Sequence, residues 1–186
     1  MKWIMTGHIL LVFCCLFYLF WWCVAFRPGY TGARVSGLPG ILLFITAAAG
    51  LSGIVVSVIG INGPSVYKAF VPTGYILIAG IIIYSGLLIA TRLILHRQVT
   101  TELFLIVGWL VVELISFQAA YRMEGIGVKA LLILCILALA AAVVSLIFYL
   151  QYYQVSEVRG YIYGMIPLIT EALCMAVFLL LVKREI

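Results

Sequence analysis

Residues 128–150 read VKALLILCILALAAAVVSLIFYL. From Ala130 to Leu150 no side chain carries a charge, and the run lacks the two-residue alternation of a barrel strand. A helix needs about 20 residues to cross roughly 30 Å of hydrocarbon. Inside that hydrocarbon each backbone donor and acceptor must find an internal partner, which a helix supplies within a single segment. The stretch therefore predicts one membrane-spanning helix.

Five more runs of the same kind flank it, at 4–26, 38–60, 70–95, 103–120 and 161–182. The connections carry helix breakers, Arg27-Pro28-Gly29 and Asn62-Gly63-Pro64 among them, with 92–98, 121–127 and 151–160 as the others. Together the runs fill nearly all of the chain and leave no segment for a soluble domain. The expected fold class is all-α: a polytopic integral membrane bundle of six transmembrane helices with short loops, one transmembrane domain over 1–186. Composition agrees, since 67% of the 186 residues are hydrophobic and 9% charged, with a mean hydropathy of +1.30. A soluble domain is nearer a quarter charged.

The five cysteines, Cys14, Cys15, Cys23, Cys135 and Cys174, fall inside apolar runs, where a thiol packs as a small hydrophobe, so no disulfide framework is expected. The first apolar run is too long for a signal-peptide core and has no small-residue cleavage site, so it reads as the first span. The net charge of +5 comes from Lys and Arg residues between or beyond the runs, where they meet lipid phosphates. Loops this short cannot form the basic stripe a nucleic-acid binder needs. Membrane lipid is the expected partner, nucleic acid is not, and no cofactor is expected.

An even number of spans puts both termini on one side. Lys2, Lys68, Arg122, Lys129, Lys183 and Arg184 lie there, against Arg27, Arg34, Arg92, Arg97 and Arg159 on the other. The balance of six against five leans to cytoplasmic termini by one residue and is also compatible with dual topology. The minimal loops point to a bacterial or archaeal plasma membrane. Trp3, Trp21, Trp22, Tyr152, Tyr153, Tyr161 and Tyr163 near span ends suit an interfacial belt. Ala49, Gly53, Ser57 and Gly60 on span two, and Ala138, Ala142 and Ser145 on span five, form small-residue stripes. These serve packing within the bundle or, alternatively, a homo-oligomer or partner membrane subunit.

Glu113 and Glu171 carry the most functional information. Each lies ten residues into its span, and spans four and six run in the same direction, so the two carboxyls are expected at one depth. An ionised side chain at midspan costs about 2.5–3.5 kcal/mol on insertion scales. No Lys, Arg or His lies in the centre of any span, so such a pair shares a proton or binds a cation. Trp109 and Ser116 flank Glu113 on one helical face, and Pro167, Cys174 and Met175 flank Glu171, a set suited to a lipophilic cation. Pro167 is expected to kink span six or free a carbonyl there. Glu102, eleven residues before Glu113, shares its stripe with about 20° of offset and is a candidate access path. The reading as an ordinary first-turn acid, favoured by the helix dipole, comes first. The structural alternative for the glutamates is a protonated carboxyl bonded to Ser116, Gln118 or Thr170.

His8, Cys15 and Trp22 recur every seven residues, but two ligands on one stripe do not make a metal centre, and no metal is expected. The first connection interleaves Gly29, Gly32, Gly37 and Gly40 with Arg27 and Arg34, a possible lipid-headgroup contact. The chain contains no aspartate, no nucleophile elbow and no His-Glu-x-x-His, so no catalytic residue is assigned. Three functions follow in order: a small transporter or channel-like protein with a midplane proton or cation site; a non-catalytic membrane subunit or scaffold; and a membrane-embedded enzyme acting on lipid.

Overall fold

In the computed structural model the described residues are 2–26, 37–62, 73–94, 96, 101–124, 126–152 and 154–185, without the side chains of residues 101, 102, 124 and 185. Six helices are long and apolar enough to cross a membrane, and no strand occurs among the described residues. They are α1 (Lys2–Ala25), α2 (Leu38–Ile61), α3 (Thr73–Ile89), α4 (Thr101–Glu124), α5 (Val128–Tyr152) and α6 (Glu157–Glu185). The protein is thus a multi-pass integral membrane bundle, as the apolar runs predict. Helices α4 and α6 extend furthest past the expected bounds, because Tyr121–Glu124 and Glu157–Gly160 continue them beyond the apolar runs, whereas α1 ends one residue earlier, at Ala25, and α3 is described from Thr73. A π-helical turn, Ala90–Ile94, continues α3, which hydropathy does not reveal. Arg27 and Arg34, the headgroup candidates, lie outside the described residues.

Local chemistry accounts for several boundaries. Gly37 precedes α2 at φ 94°, a left-handed conformation suited to a residue without Cβ. Pro39 lies in the first turn of α2, where a missing N–H is harmless. Asn62 closes α2 with both its backbone N–H and its Nδ2 donating to the Val58 carbonyl. Glu157 opens α6 and Lys183 and Arg184 sit in its last turn, each complementing the helix dipole.

Helix α4 is the centre: 61% of its most apolar window is buried, against 11% for α3. It packs against α5 and α6, while α1 packs between α2 and α6 and α3 leans on α4. The main core joins Ile4, Phe117, Ala120, Leu134, Ala138 and Phe178 from α1, α4, α5 and α6. The outward faces of α2 and α3 carry exposed aliphatics such as Leu51, Val55, Ile78 and Ile82, the side chains that meet lipid.

The closest packing is between α1 and α2. A Cβ on Gly53 would sit 2.7 Å from Leu11 Cδ2 and 3.0 Å from the Gly7 carbonyl, and one on Gly60 would sit 2.8 Å from the Ile4 backbone nitrogen. A Cβ on Gly7 would collide with the Ser57 hydroxyl. The small-residue stripe of α2 is therefore covered by α1 of the same chain. On α5, Ala138 and Ser145 are likewise buried inside the bundle.

Gly53→Val should lower the melting temperature in detergent by roughly 5 °C, since overpacking costs about 1–3 kcal/mol. Gly108→Ala, where a Cβ meets nothing within 4 Å, should leave it unchanged or slightly raised. A thermal melt of the two variants beside wild type checks the pair.

Candidate functional site

Three helices bring the polar groups together. Glu113 on α4 and Glu171 on α6 are 1% and 3% exposed, and their carboxyls lie within electrostatic reach of each other. Register explains the meeting: both residues lie midway along parallel helices that share the core. None of the four carboxyl oxygens has a hydrogen-bond partner among the described residues. Every described Lys and Arg is exposed, so no permanent cation accompanies the pair.

Two hydroxyls lie near Glu171. Thr170 Oγ1 donates to the Ile166 and Pro167 carbonyls at 3.1 and 2.9 Å, and it lies 3.2 Å from Ser145 Oγ, a contact in which either hydroxyl can be the donor. Ser145 is beside Glu171. On the Glu113 side the nearby group is the Cys174 thiol, a weak donor, and Cys15 of α1 lies within reach of both acids.

From Glu171 a cavity runs toward the bundle end opposite the termini, walled by Trp22, Trp109, Phe148, Tyr163 and Pro167. Trp22 fits because Gly164 leaves space for it; a Cβ there would collide with the indole. The indole Nε1 donates to the Tyr161 carbonyl at 3.0 Å. Beyond Trp22 and Tyr152 a polar vestibule contains Ser156 and the exposed Glu157. On the opposite, termini side of the acids, Phe117 and Phe178 pack with ring centroids 5.0 Å apart, and His8 lies 4.6 Å from Phe178. All three are 0% exposed. The pair is thus approached from one side and closed on the other.

Of the residues singled out from sequence, Glu171, Trp109 and Pro167 line the cavity, with Glu113 beside Glu171. Met175 instead packs with Leu11 and Cys15, and Ser116 is fully buried with an unpartnered hydroxyl. Neither is among the cavity walls. Helix α6 runs through Pro167 without a break, so the proline acts by depriving the Tyr163 carbonyl of its helical donor. Glu102 sits in the first turn of α4, its side chain outside the described residues. Trp22 and Tyr163, expected as lipid-interface anchors, face the cavity instead. The signals that could have found them are the seven-residue register of Trp22 with Cys15 and the glycine at 164. Glu157 had no local signal beyond its place in a first turn.

The notch predicts its own defect. Gly164→Ala should displace the Trp22 indole and weaken the near-ultraviolet circular dichroism of the tryptophans, with a lower melting temperature. Gly160→Ala, where a Cβ meets its nearest neighbour at 3.6 Å, should change neither.

Comparison with known proteins found no family model, no curated relative and no solved structure that matches the chain.

Proposed function

We propose that the protein is a small transporter or channel-like protein in which Glu113 and Glu171 form a midspan site that exchanges protons or a cation. The observation that carries this reading is the set of four buried carboxyl oxygens without a donor. An interior that offers acceptors but no counter-charge accommodates a proton or an incoming cation, and penalises a bare carboxylate pair. The cavity gives such a cation a route, and the closed aromatic layer beneath makes the route one-sided, as coupled transport requires. With cytoplasmic termini, as the basic-residue count favours, the vestibule opens to the outside. The titratable neighbours are Cys15 and Cys174 around the pair and, two turns from Cys15 on α1, His8.

The scaffold reading, which the minimal loops also suit, would need a face other than the small-residue stripe of α2, because α1 covers that stripe.

The test is thermal stability of the detergent-purified protein across a pH and cation panel, followed by flux in liposomes. Wild type should shift with pH or with one cation, and Glu113→Gln and Glu171→Gln should each flatten that response while keeping the helical fold. Flux in either variant should fall below about a tenth of wild type, the loss expected when one essential carboxyl is removed. Identical responses from all three proteins would make the glutamates structural and sink the transporter reading.

A further inference from the structure

A proton alone needs no chamber, and this site has one. The cavity above Glu171 has a volume of about 70 Å³, room for the head group of an organic cation whose body extends along the walls toward the open mouth. Its walls are aromatic rings and aliphatic side chains, with one carboxyl at the floor. No lysine, arginine or histidine lines it.

Such walls discriminate between kinds of cation. A sodium or potassium ion leaving water needs several oxygen ligands in place of its hydration shell. The floor offers one carboxyl, that of Glu171, too few ligands for that purpose. An organic ammonium ion is weakly hydrated and carries its charge within hydrocarbon. Its positive end is attracted by the negative faces of Trp, Tyr and Phe rings, more strongly where water is excluded. Its apolar part gains by leaving water.

The surroundings favour a lipophilic member of that class. Leu105 and Trp109 wall the cavity and also line an apolar groove between α2, α3 and α4. The space beside Glu171 is thus one layer of side chains from that apolar groove. On the aqueous side, Glu157 and Ser156 line the vestibule.

We infer that the aromatic cavity takes a lipophilic organic ammonium ion, with its charged end at Glu171 and its apolar body against Trp109, Phe148 and Tyr163. This rests on the reading of Glu171 as a cation site and names the class of cation.

The experiment is calorimetric titration of the full-length protein in detergent with benzyltrimethylammonium, beside its uncharged carbon isostere neopentylbenzene and sodium and potassium chlorides. The ammonium ion should bind wild type, the isostere at least about ten-fold more weakly, and the two salts without saturation. Glu171→Gln should abolish ammonium binding. Trp109→Leu and Tyr163→Leu should each weaken it about ten-fold, while Tyr163→Phe, which keeps the ring, should retain it. The leucine variants should keep the wild-type response to pH, which shows that the carboxyl pair is intact.

Equal binding of the isostere, or full affinity in both leucine variants, overturns the inference by reducing the cavity to a greasy pocket. If no ammonium binds but the glutamine variants still flatten the pH response, the organic-cation inference fails and the carboxyl-pair reading stands. If neither ammonium nor pH gives a response that depends on Glu113 and Glu171, both fall together.

Discussion

Helices inside a bilayer gain little from hiding apolar surface, since lipid tails are as apolar as leucine, so close fit must hold them together. In this bundle the tightest fit is the backbone approach of α1 to α2 at Gly7, Gly53 and Gly60. It fixes the rotation of α1 about its own axis. A helix rotated by that contact turns His8, Leu11, Cys15 and Trp22 toward the interior, where α6 receives them. The aromatic wall, the thiol near the acids and the layer at His8 thus inherit their positions from residues that carry almost no side chain.

The polar interior around the acids is short of donors. Thr170 bonds to the Ile166 and Pro167 carbonyls of its own helix and contacts Ser145, and none of the four carboxyl oxygens of Glu113 and Glu171 has a hydrogen-bond partner among the described residues. Buried acceptors so placed favour a proton over a bare charge.

Fold class was legible because hydropathy and length suffice for it: the run at 128–150 and its five counterparts each become a helix. The depth of Glu113 and Glu171 was legible for the same reason, since position along a span converts directly to height in the bilayer. Rotation about the helix axis was not. Seen from all sides these helices are apolar, so no hydrophobic face distinguishes lipid from interior. That is why Trp22 and Tyr163 read as interface anchors and why Met175 and Ser116 read as part of a site they do not line. Glycines carried the missing information, Gly164 for Trp22 and Gly53 for α1, but a glycine marks a close approach without naming what approaches.

Helix α3 occupies a different position from the other five. Its one buried residue is Gly80, the hollow that receives Val111 of α4, where a Cβ would stand 2.5 Å from the valine methyl. Beyond that hollow, Tyr84 and Leu87 pack against the cluster of Leu103, Ile106 and Tyr149, while aliphatic side chains such as Ile78 and Ile82 face outward. The bundle is therefore graded in cohesion: a tightly meshed assembly of α1, α2, α4, α5 and α6, with α3 laid along α4. Local opening in proteins begins at such weakly meshed elements. Displacement of α3 would widen the apolar groove behind Leu105 and Trp109, so the side of the molecule nearest the cavity wall is also the side that yields most easily.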